Sequence, residues 1–216
     1  MKGLFKNNYY TALLSVKTFL IIMLLSGAFV VIFDTKPPAL LISNYMLLGM
    51  IGFPFLSIAS LQKECDGNWG IYKLTTPVKR ADIVKSHFLS LPLWLFAGIA
   101  ISGINAALFT ALHGYPFSKN TDIFMLFVAG VVISLSMGAI FFPLFYFGSE
   151  ERTDVYLIIS LLCGIGIVAF LTSLLPSSLD TMQTIVYGIL ILAFTLLTYT
   201  LSCLLAIHIY YKKECP

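Results

Sequence analysis

Six stretches of the chain, at about 17–34, 39–61, 88–112, 122–148, 155–175 and 183–211, are long, apolar and nearly free of charge. A helix needs about 20 such residues to cross the hydrocarbon core of a bilayer, where every backbone N–H and C=O must be satisfied within the segment. The apolar residues run continuously and do not alternate, which excludes a β-barrel. Charged residues make up 11% of the 216-residue chain, against roughly 25% in an average soluble domain. That balance rules out a soluble enzyme on one anchor, and it rules out disorder, which needs low hydrophobicity and high charge. The expectation is an all-α membrane protein: one transmembrane domain over residues 1–216 with six membrane-spanning helices. The first stretch ends on Phe33, Asp34 and Thr35 with no small-residue cleavage site, so it reads as a retained span and not a secretory signal.

The loops carry the orientation. Lys2, Lys6, Lys17, Lys63, Lys73, Lys79, Arg80, Lys85, Arg152, Lys212 and Lys213 fall on one side of the six spans. Only Lys36 and Lys119 fall on the other. Cytoplasmic connections hold the excess of Lys and Arg, so both termini and the 62–87 loop are expected in the cytoplasm of a multi-pass cell-membrane protein. Residues 1–16 place Phe5, Tyr9, Ala12, Leu13 and Val16 on one helical face and Lys2, Lys6 and Asn7 on others. This reads as an interfacial helix on the inner leaflet, the alternative being the start of the first span.

All ten acidic and all thirteen basic residues lie in loops or toward span ends. An ionisable group at mid-membrane is costly and usually marks a proton relay or ion path, so its absence argues against proton-coupled transport. Asn105 is the most polar residue well inside a span, and it either hydrogen-bonds another helix or lines a substrate pathway. Gly98, Ser102, Ala106 and Thr110 recur every four residues, as do Gly130, Ser134 and Gly138, giving two small faces suited to close helix packing. Pro54 and Pro143 each remove a backbone hydrogen bond within a span, predicting kinks.

Catalytic and metal chemistry finds little support. Cys65, Cys163, Cys203 and Cys215 form no CxxC pair. His87, His113 and His208 sit at span ends or flanks without ligand spacing and read as interfacial side chains. Glu150 and Glu151 resemble the acidic pair of glutamate-dependent intramembrane proteases, but the later spans offer only His208 beside them, so a solvated turn over 149–154 is the better account. No GxxxxGK phosphate loop occurs, so the chain is not expected to bind ATP by that route. The net charge of +3 is too small to suggest a nucleic-acid partner.

The connection over 62–87 stands out. It holds eight of the 23 charged residues together with Trp69, Ile71, Tyr72 and Leu74. Aromatic anchors within a charged rim suit a protein-docking surface, and they equally suit an interfacial belt in the headgroup layer.

The order of Glu64, Trp69, Tyr72 three residues later, Pro77, Arg80 three after it, and Ile83-Val84 resembles the loop of ABC-2 type permeases. These include small bacterial exporters of peptides such as the phenol-soluble modulins. Thr76 and His87 stand where the family often has Leu and Lys. The resemblance implies a membrane subunit that works as a dimer, with an identical or a different permease copy, and with a separate ATPase chain that holds ATP and Mg. No cofactor is then expected in this chain. It also implies a coupling helix in the loop after the second span, with Trp69 and Tyr72 as anchors, Glu64 and Arg80 orienting the contact by charge, and Pro77 fixing the turn. An exporter permease for a hydrophobic or amphipathic peptide is therefore the leading expectation. The alternative is the substrate-binding membrane component of an ATP-driven vitamin uptake system. A membrane enzyme is disfavoured, because no nucleophile, base and metal constellation can be assembled.

Overall fold

A computed structural model of the chain describes residues 2–32, 38–66, 80–117, 120–148, 152–174 and 180–212. Its long elements are α1 (Lys2–Ile32), α2 (Pro38–Asp66), α3 (Arg80–His113), α4 (Asn120–Phe147), α5 (Thr153–Ser173) and α6 (Thr181–Lys212). All six are long and apolar enough to cross a membrane. The fold class read from the sequence therefore holds.

The helix ends follow local chemistry. Pro38 opens α2, where its missing N–H costs nothing. Gly114 closes α3 with φ of 85°, a left-handed conformation that glycine adopts without penalty, and its N–H returns to Thr110 O at 3.1 Å. Ahead of α6, the Asp180 carbonyl accepts from Thr184 N at 3.0 Å, and Gln183 Oε1 reaches back to Asp180 N at 3.4 Å, half of a capping box.

The packing register divides the bundle into two halves. α1 runs antiparallel to α2, with Phe19 edge-on to Phe53 at 5.1 Å and Met23 beneath Gly49. α2 runs antiparallel to α3, where a Cβ on Gly98 would fall on the carbonyl oxygen of Gly49. In the second half α4 and α6 run parallel: Phe124 meets Gly188, Gly138 meets Tyr199, and Tyr146 meets Tyr210 at 5.1 Å. α5 packs antiparallel on α4 through Leu157, Ser160 and Gly164, a single stripe at helical spacing. The halves meet where α2 lies on α4 and α3 lies on α6.

Buried residues form a large cluster around Met50, Phe88, Phe141 and Phe142, and a smaller one around Met23, Phe53 and Trp94. Outward faces are as apolar as inward ones, with Leu25, Phe96, Leu162 and Phe194 all exposed, as a helix that contacts lipid requires. Small residues bring backbones close at particular crossings, such as Gly49 with Gly98, because lipid supplies no hydrophobic penalty that would drive helices together and packing must do it instead.

Two element boundaries differ from those read in the sequence. α1 is continuous over 31 residues, about 46 Å at 1.5 Å per residue, so residues 2–16, read as an interfacial helix, share one helix with the first span, whose apolar run is Ser15–Ile32. No proline or glycine lies in it between Gly3 and Gly27, and Ala12 and Val16 are buried in the smaller cluster. The connection assigned to 62–87 is shorter at both ends, since α2 continues to Asp66 and α3 begins at Arg80. Ile83, Val84, Phe88, Leu91 and Leu95 lie on one buried face, so packing extends the third helix below the run of highest hydropathy. For the same reason His87 is buried within the bundle, whereas His113 and His208 are not.

Candidate functional site

The proposed docking residues divide between described and undescribed parts of the chain. Glu64 lies in the last turn of α2 and Arg80 is the first residue of α3, on the two helices that flank the connection. Trp69, Tyr72 and Pro77 lie outside the described residues.

Asn105 belongs to a polar chain within the first half. Its Nδ2 donates to Tyr45 Oη at 2.7 Å and to Ile101 O at 3.2 Å, and the Tyr45 hydroxyl donates in turn to Met23 O at 3.0 Å. One amide and one phenol thus join α3, α2 and α1. Gly27 makes room for them, because a Cβ there would stand 2.7 Å from Tyr45 Oη and 2.8 Å from Asn105 Oδ1. Tyr45 was not singled out in the sequence; its signal is an aromatic hydroxyl well inside a span.

The prolines give the more informative pattern. A proline within a helix leaves the carbonyl four residues earlier without its usual N–H partner. Three helices carry one: Pro54, Pro92 and Pro143. The carbonyls concerned belong to Met50, Phe88 and Ala139. Each accepts a side-chain hydroxyl from another helix: Ser134 Oγ to Met50 O at 2.8 Å, Tyr199 Oη to Phe88 O at 2.7 Å, and Ser202 Oγ to Ala139 O at 2.5 Å. Each proline inside a described helix therefore also marks an interhelical joint, in keeping with the way Ser and Thr re-satisfy freed backbone groups in membrane helices. Sequence reading identified Pro54 and Pro143 but not their partners. Pro92 lies inside the third stretch and was not singled out.

These bonds are layered. The Asn105 chain lies toward the α1–α2 turn, the Ser134 bond near the middle of α2, and the Tyr199 and Ser202 bonds toward the end that bears Lys212. At that end Tyr146, Phe147, His208, Ile209 and Lys212 line an open recess, with His208 and Lys212 one helical turn apart. Among the described residues no three His, Cys, Asp or Glu side chains come together as a metal site. The buried polar side chains among them are serines, threonines and His87, with no Asp, Glu, Lys or Arg. Such an interior can hold helices in register.

A family model described as ABC-2 family transporter protein matches residues 3–211. No curated protein and no solved structure matches the chain. The match runs through all six helices and the long connection between the second and third, and the protein thus belongs to the ABC-2 family of transporter proteins, as a multi-pass membrane transport subunit.

Proposed function

We propose that the chain is the permease subunit of an ATP-driven ABC exporter that moves a hydrophobic or amphipathic peptide, and that it works with a separate ATP-binding chain and a second permease copy. The observation that carries this reading is the family match over 3–211 on a chain whose sequence holds no phosphate loop. Energy then enters from outside the chain. The absence of buried carboxylates and ammonium groups among the described residues supports a partly apolar cargo over an ion. The eleven-to-two asymmetry of Lys and Arg supports termini and the long connection on the cytoplasmic side, where an ATPase would dock.

In this reading Trp69 and Tyr72 anchor the ATPase, Glu64 and Arg80 orient it by charge pairing, and Pro77 fixes the turn into α3. ATP binding closes the ATPase pair, the docked connections move with it, and α2 and α3 carry the displacement into the membrane. Asn105 is assigned to packing, because its amide is already engaged by Tyr45 and Ile101.

Purification of the native complex followed by mass spectrometry tests the reading. The expected result is co-purification of an ATP-binding subunit and a second permease copy. Trp69→Ala with Tyr72→Ala should remove the ATPase and leave the permease melting temperature unchanged. Retention of the ATPase at wild-type stoichiometry would overturn the docking assignment. Peptide movement into vesicles by the purified chain alone would overturn the whole reading.

A further inference from the structure

Two of the three proline-linked hydroxyl bonds cross between the halves of the bundle, and they differ in what happens to the donor when the bond is broken. Ser134 Oγ stands 2.8 Å from Met50 O on α2 and 2.9 Å from Gly130 O on its own helix. A serine hydroxyl has one proton, so it serves one of these acceptors at a time. If α2 withdraws, the proton turns to Gly130 and the donor is never left bare. Tyr199 has no such alternative, because its phenol stands too far from its own backbone to reach a carbonyl of α6. The third bond, from Ser202 to Ala139, lies within the second half.

We propose that the seam between the α1–α3 half and the α4–α6 half is a releasable joint, latched by Ser134 on the Met50 carbonyl and pinned by Tyr199 on the Phe88 carbonyl. The surfaces at the latch suit release. A Cβ on Gly130 would stand 2.5 Å from Met50 Sδ, so an unbranched, adaptable thioether lies across a bare stretch of α4. Pro54 weakens α2 at the same level, so the helix bends where the latch lets go. Release leaves one carbonyl, that of Met50, facing the widened seam, where water can reach it. The pin at Phe88, nearer the Lys212 end, holds α3 to α6 throughout, so the halves splay about it and do not dissociate.

The joint lies within one chain and needs no ATPase, so its failure would leave the family assignment untouched. The test is a spin-label distance measurement on the full chain in nanodiscs, diluted with unlabelled chain and with its native cysteines replaced by Ala. Labels at Leu41→Cys and Met182→Cys sit on exposed positions near the starts of α2 and α6, one on each half. Ser134→Ala should raise the longer-distance population roughly threefold, the factor that a typical membrane interhelical hydrogen bond commands. Ser134→Thr should restore the wild-type distribution. Gly130→Ala, which wedges Met50 away and leaves the hydroxyl in place, should also raise the longer distance. In a Pro54→Ala background the carbonyl of Met50 regains a backbone N–H, and Ser134→Ala should then change nothing. An unchanged distribution for Ser134→Ala or for Gly130→Ala, or a Ser134→Ala effect as large in the Pro54→Ala background as in the wild-type one, would overturn the proposal.

Discussion

The hydroxyl of Tyr199 donates at 2.7 Å to the backbone carbonyl of Phe88, the group that Pro92 leaves without a helical partner on α3. The two rings also lie 5.2 Å apart, and Phe88 continues the contact to Phe142 at 4.4 Å. Tyr199 is thereby held between α3 and α4, and its polar tip reaches a backbone acceptor that the local sequence leaves unserved.

Tyr199→Phe keeps the ring and removes the bond. The expected cost is about 1 kcal/mol, from a buried carbonyl left without a donor. Pro92→Ala returns an N–H to that carbonyl, so the loss on Tyr199→Phe should shrink by half or more when the proline is also replaced. Thermal unfolding of the four proteins of this cycle in detergent gives the coupling directly. Equal losses in both backgrounds would show that the proline and the phenol act independently.

At the crossing of α2 and α3, Gly98→Ala places a methyl group on the Gly49 carbonyl oxygen, which is backbone and cannot rotate away. Forced separation of the two helices should destabilise by about 1–3 kcal/mol. Gly103 lies on the same helix with nothing within 4 Å of a Cβ, so Gly103→Ala should be neutral or stabilising. The pair of melting temperatures separates close approach from helix propensity, and a tolerated Gly98→Ala would contradict the packing described for α2 and α3.

Asn105, Tyr45 and Met23 form one chain of bonds, so its members should fail together. Tyr45→Phe combined with Asn105→Leu is expected to cost little more than Tyr45→Phe alone. Asn105→Asp introduces a carboxylate inside a span, at about 3 kcal/mol on the insertion scale, and should sharply reduce the amount of protein recovered in membranes. Immunoblots of the membrane fraction read the second effect, and additive losses in the first comparison would mean that the two side chains are not coupled.

Much of the architecture was legible in the residues. The six spans follow from runs of apolar residues, and the faces at Gly98 and Ser102 and at Gly130, Ser134 and Gly138 do meet neighbouring helices. The start of α3 could also have been found, since Val84 continues the helical spacing of Phe88, Leu91 and Leu95 toward the N-terminus. Residues 1–16 were set apart by their amphipathic pattern, which by itself does not say whether the helix runs on into the first span; the exposed Lys17 can extend its ammonium along the helix toward the headgroups.

The sequence by itself determined how many times the chain can cross a bilayer and where the prolines weaken its helices, because hydrocarbon length and a missing N–H are properties of a single segment. Which hydroxyl answers which proline was decided only by the tertiary structure. The partners are 84, 111 and 63 residues apart, on helices whose neighbours and direction no local pattern specifies. A hydroxyl can meet a carbonyl only when two helices have settled into a common register, so that pairing belongs to the assembled bundle.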